Sequence, residues 1–382
     1  MSDQVRRHGS RPQAEASRQD HGSAATKWAT ENNGEANGDG GRHPHHPRQH
    51  LTQMITGYWT SRAIYAAAKL RIADHLAAGP RSAEQIAAEV GVASRPLYRL
   101  LRALAGAGVF AQQADGRFRL NTAAEFLREH AADSMWAMVV MLGEEQDRCW
   151  GDLLETVRTG EPAFERLFGR PIFDYLGERP EQARIFDAAM TGFSGRETRA
   201  ILEAYDLPGV GTLADIGGGA GSKLAGILAR YPAMRGLLFD RPHVVERARP
   251  MLEAAGLSGR CDIQGGDFFE RAPAGADAYI LGHIIHDWDD ARAGLILDNL
   301  RRAMSSGARL LVVEYVIPEV DAGPRGDGAS LGEWLDLHMM VAAGGLERTE
   351  AEYRRLFADH GFRLTRVVPT TEGISVIEGV PT

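Results

Sequence analysis

Residues Leu213 to Gly221 read Leu-Ala-Asp-Ile-Gly-Gly-Gly-Ala-Gly, and this stretch limits the fold more sharply than any other. Leu213 to Ile216 suits a short buried strand, with Asp215 near its end. Gly217, Gly218, Gly219 and Gly221 crowd the next five positions. From Ser222 the spacing turns helical, with Leu224, Ile227 and Leu228 on one face. Strand, glycine turn and helix in this order is how α/β proteins bind a nucleotide-like ligand. Glycines let the turn take positive φ and let a ligand approach the backbone closely. A dinucleotide site would space its glycines G-x-G-x-x-G, which here would end on Ser222, and a phosphate-binding P-loop would need a glycine before Lys223. The pattern that fits is D-x-G-x-G-x-G, carried by Asp215, Gly217, Gly219 and Gly221.

Two further segment ends support a ligand at this edge. Leu237 to Phe239 reads as a second strand, and the acid that follows it, Asp240, is placed to accept hydrogen bonds from both hydroxyls of a ribose. Gly265-Gly266-Asp267-Phe268 closes the next segment. Asp267 is placed to accept an adenine amino hydrogen and Phe268 to lie against the ring. Ligands of open α/β sheets bind outside the carboxyl ends of the strands, so three such ends in register point to one site. The D-x-G-x-G-x-G form resembles S-adenosylmethionine-dependent methyltransferases.

The chain has 382 residues, which suits two domains. Its 44% hydrophobic and 25% charged content is ordinary for a globular protein, and its formal net charge of -8 argues against a general binder of nucleic acid or anionic membranes. The two cysteines, Cys149 and Cys261, have no metal-site spacing and suggest a reducing compartment. No apolar run reaches the roughly 20 residues a membrane helix needs, and the N-terminus lacks a secretion-signal core. The expectation is a cytoplasmic protein with no metal.

Residues 1–50 are polar and read as a disordered tail. From Leu51 apolar residues recur at helical spacing until Gly79-Pro80. Ser82 with Gln85 reads as a capping box, opening a helix to Val90, and Ser94 as the cap of a second helix. Two short strands then flank Ala114-Asp115-Gly116 and end at Leu120, which makes a winged helix-turn-helix. Arg95, Arg99 and Arg102 on its second helix raise the alternative of a DNA-binding regulator that senses a small ligand. No broader basic stripe surrounds them, so a dimerisation scaffold is the preferred reading. Ala123 to about Tyr205 reads as helical throughout and rich in large apolar residues. Most of these are core or interface, with Met190 and Phe193 best placed to wall a pocket for a flat aromatic ligand. Beyond Gly211 strands and helices alternate. Strands are expected near Ile263, at Ala278–Leu281 and Arg309–Val313, and in a final pair, Phe362–Val368 and Gly373–Glu378, the last returning antiparallel.

His286-Asp287-Trp288-Asp289-Asp290 follows the strand Ala278–Leu281 and so lies near the same sheet edge. Methyl transfer to oxygen from a sulfonium needs the acceptor positioned and its proton removed. A phenol has a pKa of about 10 and an imidazole of about 6.5, so histidine is a workable base if held against the hydroxyl. That needs a carboxylate on its other nitrogen. Glu314, read as ending the strand Leu310–Val313, and Glu347, after Gly344-Gly345-Leu346, are both candidates.

Together, Asp215–Gly221, Asp240-x-Pro242-His243, Gly266-Asp267, His286-Asp287-Trp288 and Gly344-Gly345-x-Glu347-Arg348-Thr349 resemble the small-molecule O-methyltransferases. These include plant caffeic acid and flavonoid enzymes and bacterial antibiotic-pathway enzymes. The resemblance runs from about Leu51 to the C-terminus. It implies a Rossmann-like, doubly wound α/β methyltransferase sheet over 206–382, preceded by a winged-helix dimerisation domain over 51–125 and a helical pocket region over 126–205. It implies a homodimer whose winged helix does not bind DNA. Cofactor contacts are implied at Gly217, Gly219, Asp240, Asp267 and Phe268, with Ser194 touching the methionine carboxylate. His286 is implied as base, bracketed by Glu314 and Glu347. The family's pocket positions fall on Met141, Ile172, Leu176, Phe186, Met190, Phe193, His338 and Ala342.

Two positions depart from plant members. Gly282 replaces a lysine that lies against the adenosine, so that contact is expected to be lost or taken by solvent. His338 replaces a methionine and adds a polar group to the pocket. The expected function is S-adenosylmethionine-dependent methylation of a phenolic hydroxyl on an aromatic natural product, phenazine or polyketide in type. A relative that uses the bound sulfonium for hydroxylation or decarboxylation remains the third reading, disfavoured because the base is present.

Overall fold

The structure, a computed structural model, describes residues 47–131, 133–319 and 330–382. Most of the expected tail lies outside the described residues. The first helix, Pro47–Lys69, begins inside its last few positions. Ser82 caps the helix Ala83–Val90 by a reciprocal box: its Oγ accepts from Gln85 N (3.3 Å) and its N–H donates to Gln85 Oε1 (2.9 Å). Ser94 does not cap the next helix. It lies within Ser94–Gly106, whose cap residue Ala93 makes no side-chain bond. Pro96 in that first turn has no N–H to satisfy, which lessens the need for a side-chain cap. Strands β1 (Ala111–Gln112) and β2 (Phe118–Arg119) pair antiparallel around the expected turn. Ile72, Ile86, Leu97, Leu101, Leu104, Phe110 and Phe118 close a core of their own among these elements.

Residues 122–204 are helical, as their composition suggests, but in pieces. Gly160 and Gly169 end two helices in the left-handed conformation, and Pro162 and Pro171 stand before the helices Ala163–Phe168 and Ile172–Gly177. One long helix, Pro180–Ala204, then spans back to the sheet. The indole N–H of Trp136 donates to Ala68 O (2.8 Å) and ties this region to the first helix.

The C-terminal half holds one seven-stranded sheet. Its strands are β3 (Thr212–Ile216), β4 (Arg235–Asp240), β5 (Cys261–Gly265), β6 (Ala278–Gly282), β7 (Arg309–Tyr315), β8 (Phe362–Pro369) and β9 (Ile374–Pro381). Alternate residues feed two cores. Ala214, Ile216, Leu237, Phe239, Tyr279, Leu281, Leu310 and Val312 pack under the helices Asp290–Ala303 and Glu350–Asp359. Leu213, Leu238, Ile280, Leu311 and Val313 pack under Ser222–Arg230 and Pro242–Ala254. Burial on both faces explains why these strands read as continuous apolar runs.

The strand order is β5-β4-β3-β6-β7-β9-β8, with β3 to β7 parallel and β9 antiparallel to both neighbours. The chain winds outward from β3 through β5, returns to β6 and winds the other way. The direction therefore reverses between β3 and β6, and a crevice opens at their carboxyl ends. Among the described residues no helix is long and apolar enough to cross a membrane.

One apolar face is left uncovered. Leu51, Met54, Ile55, Tyr58 and Trp59, each more than half exposed, form a stripe at helical spacing on Pro47–Lys69. A contiguous patch of this kind marks an association face. Replacing Ile55→Glu together with Trp59→Glu is expected to leave circular dichroism unchanged and convert a dimer to monomer in sedimentation velocity. A dimer that persists would place the interface elsewhere.

Candidate active site

The glycine turn stands at the end of β3, in the crevice. Gly217 has φ 68°, and a Cβ there would lie 2.4 Å from Ile284 Cδ1, so only glycine fits. Ile284 belongs to the loop that carries His286, so the turn and that loop touch directly. Asp240, the last residue of β4, accepts from Gly219 N (2.8 Å) through Oδ2 and from Arg241 N (2.7 Å) through Oδ1. Burial raises its pKa, and these two N–H bonds partly offset the rise. Asp267 accepts from Phe269 N (2.8 Å), and Phe268 packs edge-on against Phe269 and Trp288. A Cβ on Gly217 would lie 3.6 Å from Phe268, so these positions converge on one space.

Ser194 Oγ and Asp215 Oδ2 are among the buried polar atoms that lack partners among the described residues. Asp215 has its pKa pushed up to about 6 by burial, against the pull of the Lys223 ammonium. Orphaned buried groups are rare in folded proteins, and these suit a ligand with a polar, charged tail. The residues present therefore fit S-adenosylmethionine. The space at Gly282 is not left to solvent as expected. Lys223, buried on the helix Ser222–Arg230, puts its ammonium there, and a Cβ at 282 would lie 1.5 Å from Nζ. A lysine from a neighbouring helix thus fills the position by a different route.

The base candidate is held from three sides. His286 sits in a 3-10 turn, Ile285–Asp287, and is 5% exposed. Its Nδ1 lies 2.6 Å from Glu347 Oε1, while Asp287 Oδ1 lies 3.8 Å from Nε2. Burial alone would lower the imidazole pKa. The Glu347 carboxylate, with Asp287 and Glu314 behind it, outweighs burial and raises it to about 10. Burial also raises Glu347 and pushes Asp287 to about 7.

Glu314 stands within 4.8 Å of a nitrogen of the ring but hydrogen-bonds the backbone behind it. Strand β7 runs on through it to Tyr315, and from there its Oε1 accepts from the backbone N–H groups of Ile284 (3.1 Å), Ile285 (2.6 Å) and His286 (3.2 Å). Its Oε2 accepts from the Tyr353 hydroxyl. Three ligand atoms of His286, Glu314 and Glu347 lie within 4.8 Å of one another, but both Glu314 oxygens are committed to this work.

The remaining motif residues explain one another. A Cβ on Gly345 would lie 2.0 Å from His286 O, so glycine lets the two segments meet, and Leu346 N donates to that carbonyl (2.9 Å). Arg348 is buried and donates to Trp288 O (2.9 Å), Ile285 O (3.3 Å) and Asp290 Oδ1 (2.8 Å). Thr349 caps the next helix through a box with Glu352.

Of the pocket positions, Met141, Ile172, Leu176 and Phe186 line one cavity, together with Glu145, Gln146 and Tyr175. Met190, His338 and Ala342 are not part of its wall, and Met190 is 38% exposed. Phe193 lies in the helix Pro180–Ala204 with its side chain outside the described ones. His338 instead accepts from Trp150 Nε1 at Nδ1 (2.9 Å).

Sequence reasoning missed the pair His283–Glu197. His283, held at φ 58°, sets its Nε2 2.9 Å from Glu197 Oε1, and its ring centroid lies 5.3 Å from that of His286. The one available signal was Glu197 falling a helical turn after Ser194.

Comparison with known proteins identifies the family. Residues 150–363 match the O-methyltransferase domain family, and residues 52–129 match the O-methyltransferase dimerisation domain. Arg95, Arg99 and Arg102 fall inside the dimerisation match. The chain is 46% identical over 331 residues to a phenazine O-methyltransferase of Lysobacter antibioticus, covering 87% of this chain and 95% of that one. The crystal structure of LaPhzM is similar with a TM-score of 0.84 and 45% identity, over 88% of this chain and 100% of that one. An O-methyltransferase from neocarzinostatin biosynthesis, solved with S-adenosylmethionine and 2-hydroxy-5-methyl naphthoic acid, is similar with a TM-score of 0.73 and 33% identity, over 85% of this chain and 96% of that one. The chain belongs to the S-adenosylmethionine-dependent O-methyltransferases, with the family's dimerisation domain preceding its catalytic sheet.

Proposed function

We propose that the protein methylates a phenolic hydroxyl of a polycyclic aromatic natural product, phenazine or polyketide in type, with His286 as general base. The observation that carries this reading is the 2.6 Å pairing of His286 Nδ1 with the buried Glu347, on a loop packed against the glycine turn. With Nδ1–H donating to the carboxylate, Nε2 is the atom left to take the phenolic proton. S-adenosylmethionine, when bound, supplies a methyl group already activated for displacement. Ser194, Gly217, Gly219, Asp240, Asp267 and Phe268 hold it, as the orphaned Ser194 Oγ and the converging acids support. Met141, Ile172, Leu176 and Phe186 give the flat acceptor an apolar wall, and the family resemblance adds Met190, Phe193, His338 and Ala342 to the acceptor site. Glu347 orients the ring, and Glu314 fixes the backbone behind it. The aromatic ligands named for the relatives support a polycyclic acceptor. We place the enzyme in the cytoplasm: Cys149 and Cys261 are buried and unpaired, and burial raises their thiols to about 12 and 11, so neither is a reactive thiolate.

Replacing His286→Ala is expected to leave cofactor affinity, read by calorimetry, nearly unchanged. Turnover, read by the mass gain of the acceptor, should fall by roughly 10²–10⁴-fold. The deficit should shrink only near pH 10 and above, where the phenol is ionised without help. Near-wild-type turnover on a neutral phenol at pH 7 would leave proximity as the sole source of catalysis.

A pH profile gives an independent check. The imidazole pKa of about 10 matches that of a phenol, so proton transfer is nearly balanced, but the free enzyme holds the ring protonated at pH 7. The kcat/KM for a neutral phenol is expected to rise with pH across the neutral range. Glu347→Gln removes the carboxylate that lifts the ring and leaves burial to lower it. The rising limb should therefore move to lower pH, with a reduced plateau from the weaker base. A limb that stays where it was would mean that Glu347 does not set the ionisation of His286.

A further inference from the structure

Trp150 and His338 carry a consequence for which acceptors the enzyme selects. An indole N–H is only a donor, so the 2.9 Å contact between Trp150 Nε1 and His338 Nδ1 requires Nδ1 to be unprotonated. The two rings also lie nearly parallel, 19° apart. The imidazole is therefore neutral with its proton on Nε2, and protonating it would break the bond to the indole. Burial and the neighbouring His286 charge act in the same direction, lowering its pKa to about 4. Nε2–H has no protein partner among the described residues.

The placement relates this free donor to the chemistry. His338 lies on the helix Leu331–Ala342, near enough to His286 to feel its charge. One turn later on the same helix, Val341 packs in a cluster with Phe164, Ile172 and Tyr175 of the cavity wall. Trp150 packs against that same cluster. The helix that carries the donor thus runs close to both the base and the cluster behind the aromatic wall.

We propose that His338 is a specificity-determining residue: its Nε2–H, fixed by Trp150, donates to a neutral acceptor atom of the substrate, a ring nitrogen or carbonyl oxygen next to the hydroxyl being methylated. Trp150 acts as the positioning residue that sets the tautomer. The inference rests on the methyl-transfer reading of the site. A donor left unpaired once the substrate covers it is costly, so an arene lacking the acceptor atom should be disfavoured.

The test uses the full-length enzyme, S-adenosylmethionine and a matched pair of arenes: 1-hydroxyphenazine, with a ring nitrogen beside the hydroxyl, and 1-hydroxyanthracene, with a C–H there. Wild type is expected to prefer the first by about tenfold in kcat/KM. His338→Met should bring that ratio near parity. His338→Asn, which keeps an N–H donor, should retain part of it, and Trp150→Phe should lower it by freeing the tautomer. Calorimetric cofactor binding shows that each variant is folded. A ratio unchanged in His338→Met, or near parity already in wild type, overturns the proposal. If neither arene gains a methyl group while cofactor binding persists, the methyl-transfer reading fails and this inference falls with it.

Discussion

The site depends on one buried carboxylate. Glu314 reaches from the interior of β7 to three consecutive backbone N–H groups at Ile284, Ile285 and His286. Those groups begin a short turn and would otherwise be unpaired in the interior, where an unpaired donor is costly. Closing the turn this way fixes the height of His286 above the sheet edge and presses Ile284 onto Gly217. The base and the cofactor turn are thereby set relative to each other through the Ile284 side chain.

The second half of the clamp comes from far along the chain. Gly345 permits backbone contact with His286, Glu347 takes Nδ1, and Arg348 gathers carbonyls from Ile285 and Trp288. These adjacent residues therefore act on one short turn from its opposite side. Glu347 lies in a place too apolar to hold an isolated charge cheaply, and its Oε2 lacks a partner among the described residues. His286 is its compensation, which is why the imidazole keeps its proton so tightly. The arrangement makes a strong base out of a residue that is ordinarily a weak one.

Much of this was legible in the sequence, for physical reasons. Strands buried on both faces must be apolar throughout, so β3, β4, β6 and β7 stood out, and acids at or just after the ends of β3, β4 and β5 marked the crevice. Ser82 and Gln85 announced a helix start through local chemistry. What escaped depends on distances between elements. Glu314 looked like the residue after a strand, because a charge inside one is unusual. It is tolerated there only because four donors meet it. Lys223 gave no sign that it would fill the space at Gly282, since nothing local encodes the gap between its helix and β6. The His283–Glu197 and Trp150–His338 pairs join residues from separate parts of the chain. Ser94 failed as a cap because the helix simply began one residue earlier.

The central claim is that Glu347 makes His286 a histidine that remains protonated at neutral pH in the free enzyme. The most direct measurement is a pH titration of nitrogen-labelled histidines by NMR, with His286 assigned by its absence from a His286→Ala sample. The account predicts that the ring carries both protons at pH 7, with Nδ1–H in a strong hydrogen bond, and that it titrates well above neutrality. A ring that loses its proton at or below about 6.5, the value for an unperturbed histidine, would contradict it.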